Sequence, residues 1–218
     1  MAVAPPSERD VTRILSQHAP LYRWRRPHYQ AVMLREMAAL WDVSHRKVLD
    51  VGGGNGLVAE AIKQLFPVEQ VVSIDIADRF APGLSISTQT YDGEALPFPN
   101  RSFDCVVLNN MLHHVPHAAR APLLRECRRV AGGGPLYIKD HLAVSALDHT
   151  RLRALDWLGN VPFKGMIEAQ YLTARDWDAL CRESGHVQTA IRSSGYRGRA
   201  FAALFPNRLE QMMKWVPA

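Results

Sequence analysis

The chain predicts an α/β domain built on a doubly wound, mostly parallel sheet, and three observations carry that prediction. A strand-like run, Lys47-Val48-Leu49-Asp50-Val51, ends in the glycine-rich loop Gly52-Gly53-Gly54-Asn55-Gly56, which opens a helical segment. A second strand-like run, Gln70-Val71-Val72-Ser73-Ile74, ends in Asp75, about 20 residues beyond the loop, the spacing at which a carboxylate meets a ribose in doubly wound nucleotide folds. Segments of strand and helix period alternate along the chain, which in a domain of this length means βαβ units.

The elements follow in order. Residues 7–41 precede the first strand, with Val11, Ile14 and Leu15 on one helical face, a basic aromatic stretch Tyr22-Arg23-Trp24-Arg25-Arg26, and a second helix from Pro27 to Trp41. Strands are expected at 47–52, 70–75, 86–91, 103–109 and 135–141, with helices at 56–66 and 118–130. In the latter helix Pro122 falls in the first turn, Leu123, Leu124, Cys127 and Val130 form one face, and Gly132-Gly133-Gly134 ends it. After the fifth strand, residues 143–172 read as an insertion: Leu147, Leu152, Leu155 and Leu158 predict a helix stopped by Gly159, followed by a loop over 160–165. Trp177 and Leu180 mark a further helix, and 187–193 with 200–205 read as a closing antiparallel hairpin. One domain over 1–218 is the economical division, with a helical cap at 1–45, a core at 46–142, the insertion at 143–172 and a C-terminal helix and hairpin at 173–218.

Composition narrows the classes. A chain of 218 residues at 47% hydrophobic can bury a sizeable core. Three cysteines, Cys105, Cys127 and Cys181, have no C-x-x-C spacing, and an odd number without an apolar leader points to a reducing, cytoplasmic setting. No apolar run approaches the ~20 residues that span a bilayer. The net charge of +5 gathers at Arg23, Arg25 and Arg26 and at Arg192, Arg197 and Arg199. Without an appended RNA-binding module, such blocks read as solvated surface or a basic pocket mouth, so nucleic acid is not the expected partner. No pattern in the chain specifies an oligomeric state.

The glycine loop reads G-x-G-x-G at Gly52, Gly54 and Gly56. A dinucleotide fingerprint would place its third glycine where Leu57 stands, which argues against NAD and FAD. Farther on come the segment from Thr90 to Asp104, containing Asp92-Gly93 and Leu96-Pro97-Phe98, the strand-like run Cys105-Val106-Val107-Leu108-Asn109, and Met111-Leu112-His113-His114-Val115-Pro116. In this order the segments resemble class I S-adenosylmethionine (SAM)-dependent methyltransferases over residues 46–142, and are most similar to the small-molecule branch that includes the quinone-biosynthesis enzymes. The resemblance implies a Rossmann-like, mostly parallel seven-stranded sheet with an N-terminal helical cap and an insertion after the fifth strand. It implies SAM as cofactor and S-adenosylhomocysteine as product, held by Gly52, Gly54 and Asn55 of the loop, by Asp75 on the ribose with Ile76 beside it, by Asp92 and Gly93 on the adenine side, and by Asn109. It further implies a small organic acceptor. A nucleic-acid methyltransferase and a non-catalytic SAM-binding protein are the alternative readings.

Transfer from a sulfonium chiefly needs an acceptor placed in line with the methyl group, and a base helps most when the acceptor is a hydroxyl. The candidates are His113 and His114 after the fourth strand and Asp140 and His141 at the end of the fifth, because the carboxyl ends of such strands face the ligand crevice. No metal is assigned: consecutive histidines are expected to project in different directions, and no C-x-x-C or H-x-x-x-H spacing organises His113, His114, His117 and His141.

Overall fold

The computed structural model describes residues 3–160, 169–193 and 195–218. Two helices come first, α1 (Glu8–His18) and α2 (His28–Ala38). The core then runs β1 (Lys47–Val51), α3 (Leu57–Leu65), β2 (Gln70–Asp75), β3 (Ser87–Thr90), β4 (Cys105–Asn109), α4 (His117–Ala131) and β5 (Leu136–His141). It closes with α5 (Ala146–Asn160), α6 (Ala174–Glu183), β6 (His186–Arg192), α7 (Arg199–Leu204) and β7 (Glu210–Pro217). The seven strands lie in the order β3-β2-β1-β4-β5-β7-β6. β1 to β5 are parallel, and β7 runs antiparallel to both β5 and β6. The order reverses between β1 and β4, so the crevice of the doubly wound sheet opens at their carboxyl ends.

Alternation along each strand divides the core between the two faces of the sheet. Val48, Cys105, Tyr137 and Met212 join α1, α2 and α3 through Val11, Ile14, Met33, Met37 and Ile62. Leu49, Val106, Ile138 and Met213 point the other way, onto Leu124 and Cys127 of α4 and Trp177 and Leu180 of α6. The N-terminal helices therefore complete one layer of the core, and α2 also sends Tyr29 to the crevice, where its hydroxyl donates to Asn110 at 3.2 Å and Glu210 at 3.0 Å. All three cysteines are buried and free. Among the described residues no helix is long and apolar enough to cross a membrane.

Four expectations need correction. The strand expected at 200–205 is the short helix α7, and the partner of β6 is β7. β7 is buried on both faces at Met212 and Met213 and so lacks the period-two signal that marks a half-exposed strand. α4 begins at His117, which puts Pro122 in its second turn rather than its first. Helix α5 continues through Gly159 to Asn160, and Leu147 is 57% exposed instead of sharing the buried face of Leu152. Leu158 and, from residue 161 on, the loop expected at 160–165 lie outside the described side chains and residues. Finally, Arg197 does not join a basic surface block, because its side chain is buried against Glu210; Arg192 stays 43% exposed while pairing with Glu36, and the side chain of Arg199 lies outside those described.

Candidate functional site

The glycine loop wraps the end of β2. The N–H groups of Gly52 and Gly53 donate to the Ile74 carbonyl at 2.8 and 3.1 Å, and that of Gly54 donates to Asp75 Oδ2 at 2.8 Å. Gly52, Gly54 and Gly56 take φ of +70°, +59° and +75°, a left-handed path that side chains resist. Among the described residues a Cβ added to Gly54 would meet no atom within 4 Å, so the loop offers bare backbone to open space. Its floor is closed: a Cβ on Gly53 would come within 2.3 Å of Asp50 Oδ2 and 1.9 Å of Ser73 Oγ. Asp50, which the sequence reading did not single out, is 1% exposed and accepts the Ser73 hydroxyl at 2.7 Å. Burial raises its carboxyl to about 6 against the opposing pull of Ser73, and the Asn109 amide adjoins it.

The other expected cofactor residues surround this cradle. Asp75 stands at the carboxyl end of β2 but is already engaged, accepting from Gly54, from the Ala77 N–H at 3.1 Å and from Arg79 at 3.1 Å. Ile76 is 56% exposed, and Gly93 (φ +86°) passes so near that an added Cβ would lie 3.3 Å from Ile76 Cγ2. Asp92 is exposed and accepts the Glu94 N–H at 2.9 Å. Asn55 turns its side-chain oxygen to the Leu57 N–H at 3.2 Å and so starts α3, a structural task in addition to its place in the loop.

On the other side of the switch point, a short 3₁₀ turn at Leu112–His114 carries both histidines after β4. Asp140, 1% exposed at the end of β5, accepts three bonds: from the Leu112 N–H at 3.0 Å, from the His141 N–H at 2.7 Å and from His113 Nδ1 at 2.5 Å. Burial alone would strip the proton from His113, but the charge and hydrogen bond of Asp140, joined by Asp156, outweigh it and raise the imidazole to about 9. Burial would likewise raise Asp140, and the same His113 pairing holds it below the usual carboxylate range. His113 is thus a buried, charged partner of Asp140. His114 has the more open side chain of the two, at 10% exposure.

The neighbouring rings do not diverge as expected. The 3₁₀ turn brings the His113 and His114 centroids to 4.1 Å, and the Nε2 atoms of both face Asp156 Oδ2, at 3.4 and 3.6 Å. Tyr171 stacks on His113 and donates its hydroxyl to the same Asp156 oxygen at 3.2 Å. His141 lies 4.9 Å from His113 between ring centroids and turns Nδ1 toward Glu210 at 3.0 Å. Glu210, fully buried, also receives Lys139 at 2.7 Å and Arg197; burial would raise it, but Lys139 foremost holds it well below the usual range. The structure therefore gathers all four expected catalytic candidates, His113, His114, Asp140 and His141, and adds Asp156, Tyr171, Lys139 and Glu210. No local pattern marks these additions, since they come from α5, the segment before α6, β5 and β7.

A groove of about 600 Å³ lined by Arg101, Arg125, Arg128 and Arg129 lies at the opposite, amino end of the parallel strands. Its arginines serve the fold: Arg125 and Arg128 hold the Glu183 and Gly185 carbonyls, and Arg129 pairs with Glu126. The chemistry-bearing residues are all at the other end.

Residues 23–189 match the family model described as a methyltransferase domain. The chain belongs to that family. Among curated proteins it is similar to the ubiquinone/menaquinone biosynthesis C-methyltransferase UbiE of Ralstonia pickettii, 35% identical over 130 residues, covering 52% of this chain and 53% of the relative. It is also similar to the demethylspheroidene O-methyltransferase of Rhodobacter capsulatus, 28% identical over 108 residues, covering 46% of this chain and 27% of the relative. The chain thus spans about half the length, or less, of these curated relatives. Its fold is shared with a Pyrococcus horikoshii protein, PH0226 (TM-score 0.64, 15% identity, covering 94% of this chain and 97% of that one). It is shared too with an S-adenosylmethionine-dependent methyltransferase of Mesorhizobium loti (TM-score 0.62, 16% identity, 87% and 98% covered). The expected methyltransferase fold, with its seven-stranded sheet, stands.

Proposed function

We propose that this domain binds SAM in the crevice beside Gly52–Gly56 and transfers its methyl group to a small organic acceptor seated toward His114. The observation that carries the cofactor assignment is the open backbone cradle at Gly54, with Asp75 bonded to its edge and Ile76, Asp92 and Gly93 on its rim. When bound, SAM supplies an activated methyl group on a sulfonium, with the cofactor carrying the difficult chemistry. The chain's part is to hold the adenosine against the loop, to use the Asp75 carboxylate on the ribose, and to present the acceptor side at the ends of β4 and β5. Asp140 is bonded to His113 in the floor and serves as a positioning residue, whereas the histidines stand on the acceptor side, at the ends of β4 and β5.

The relatives' names include carbon and oxygen methylation, and either acceptor atom suits a crevice rich in imidazole and carboxylate. A nucleic-acid acceptor finds less support at the C-terminal cluster, where Arg197 is buried against Glu210 and Arg192 pairs with Glu36.

Calorimetry tests the proposal directly. S-adenosylhomocysteine and SAM should bind and NAD should not, and incubation with SAM and a metabolite extract should give a product heavier by one methylene. Binding of NAD with no binding of either SAM species would overturn the reading, and saturable retention of bulk tRNA at ~150 mM salt, where nonspecific contacts are screened, would replace the small acceptor with a nucleic acid.

A further inference from the structure

The polar floor of the acceptor side has an organisation that general acid–base chemistry does not require. His113 uses Nδ1 on Asp140, which fixes the ring and aims Nε2 away from it, at the space shared with His114 and Asp156. That Nε2 belongs to a residue 1% exposed and, among the described residues, makes no well-formed hydrogen bond. His114 Nε2 faces the same oxygen of Asp156, and the three atoms lie within 4.8 Å of one another.

We infer that His113 Nε2, His114 Nε2 and Asp156 Oδ2 form a binding site for one divalent transition-metal cation of the zinc, cobalt or iron(II) class. Two nitrogens and one carboxylate oxygen are the donor set such ions favour over magnesium or calcium. The spacing fits: with metal–ligand bonds of about 2.0–2.2 Å, ligand atoms around a tetrahedral ion stand about 3.3–3.6 Å apart. The two histidine nitrogens stand 3.4 and 3.6 Å from the Asp156 oxygen. The neighbouring set His113, Asp140 and His141 fits worse, because 2.5 Å between His113 Nδ1 and Asp140 Oδ1 is a hydrogen bond, too short for two ligands of one ion. In the preferred set that short bond has its own purpose, since metal-bound histidines almost always donate their second nitrogen to a carboxylate or carbonyl. Tyr171, donating to the ligating oxygen of Asp156, orients the third ligand in the same way.

Three protein ligands leave coordination positions for a substrate oxygen. The inference deepens the methyltransferase reading and rests on it for this consequence: the acceptor is a molecule presenting a hydroxyl. On the cation that hydroxyl loses its proton to solvent; its oxygen then bonds to the methyl carbon as the carbon–sulfur bond breaks, and the sulfonium departs as a neutral thioether.

The experiment uses the full chain, free of any affinity tag, stripped with a chelator and titrated with cobalt(II) chloride, with metal content measured in parallel. Saturable uptake of one cobalt per chain, with the visible d–d absorption of a low-coordinate nitrogen–oxygen site, is expected. His114→Ala and Asp156→Asn should each weaken uptake at least ~10-fold, and Asp140→Asn, which touches the ligand His113 only at its non-ligating Nδ1, by ~10–100-fold. Circular dichroism and the heat of S-adenosylhomocysteine binding confirm that each variant is folded. Absence of saturable uptake, or affinity and spectrum unchanged in both ligand variants, overturns the site. Cofactor binding without cobalt binding defeats this inference alone, and cobalt binding without cofactor binding defeats the methyltransferase reading alone.

Discussion

The two halves of the crevice are built on opposite principles. The cofactor half is mostly backbone: a loop of left-handed glycines, with carboxylates at the ends of strands, each reached within about one βαβ unit of chain. The acceptor half is mostly side chain, and its charges are interlocked, with Asp140 between His113 and two backbone N–H groups and Glu210 between Lys139, Arg197, Tyr29 and His141. Groups in the first half can be removed at the expense of binding. In the second half, removal leaves a buried charge unpaired, so the fold itself bears the loss.

This contrast can be broken most easily at Asp140. Asp140→Ala strands the buried His113 and two N–H groups, and breaking such a pair costs ~3–5 kcal/mol. Urea denaturation should show a loss of that size, and a loss under ~1 kcal/mol would mean that the acceptor half is not interlocked in this way.

Asp50, beneath the glycine loop, offers a sharper test because its penalty depends on pH. Its folded pKa, about 6, lies above the ordinary value of 3.8, so folding favours the protonated acid. The resulting cost to stability is absent below the unfolded value, grows as pH rises between the two, and is constant above about 6. The shift corresponds to ~3 kcal/mol as an upper figure. Asp50→Asn, which keeps an acceptor for the Ser73 hydroxyl, should therefore be more stable than the parent at pH 8 and nearly equal to it at pH 4. Equal melting temperatures at both pH values would show that the buried carboxylate is compensated.

The smallest effect concerns Asp75. Asp75→Ala removes charge-assisted bonds expected to serve the ribose, so the affinity for S-adenosylhomocysteine should fall at least ~10-fold, or ~1.4 kcal/mol, in calorimetry. Full affinity in a folded variant would move the ribose elsewhere and leave Asp75 as the anchor of Gly54 and Arg79.

Contiguous sequence determined the glycine loop, the strand ends at Asp75 and Asn109, the helices α3 and α4 and the alternation of parallel strands and helices in the core. Each rests on short-range rules: hydrophobic period, glycine where backbone turns left-handed, and an acid at a fixed distance along one βαβ unit. It also placed His113, His114, Asp140 and His141 on the correct strand ends. Tertiary structure alone decided their partners. Asp156 and Tyr171 reach the histidines from α5 and the segment before α6, and Glu210 arrives on β7, 69 positions beyond His141. These are single polar residues in otherwise ordinary segments, and a lone acid carries no period or spacing that reveals what it will meet. The same reason explains the misplaced last strand: β7 lies between β5 and β6 with both faces covered, so its buried pattern records the packing around it rather than a local alternation.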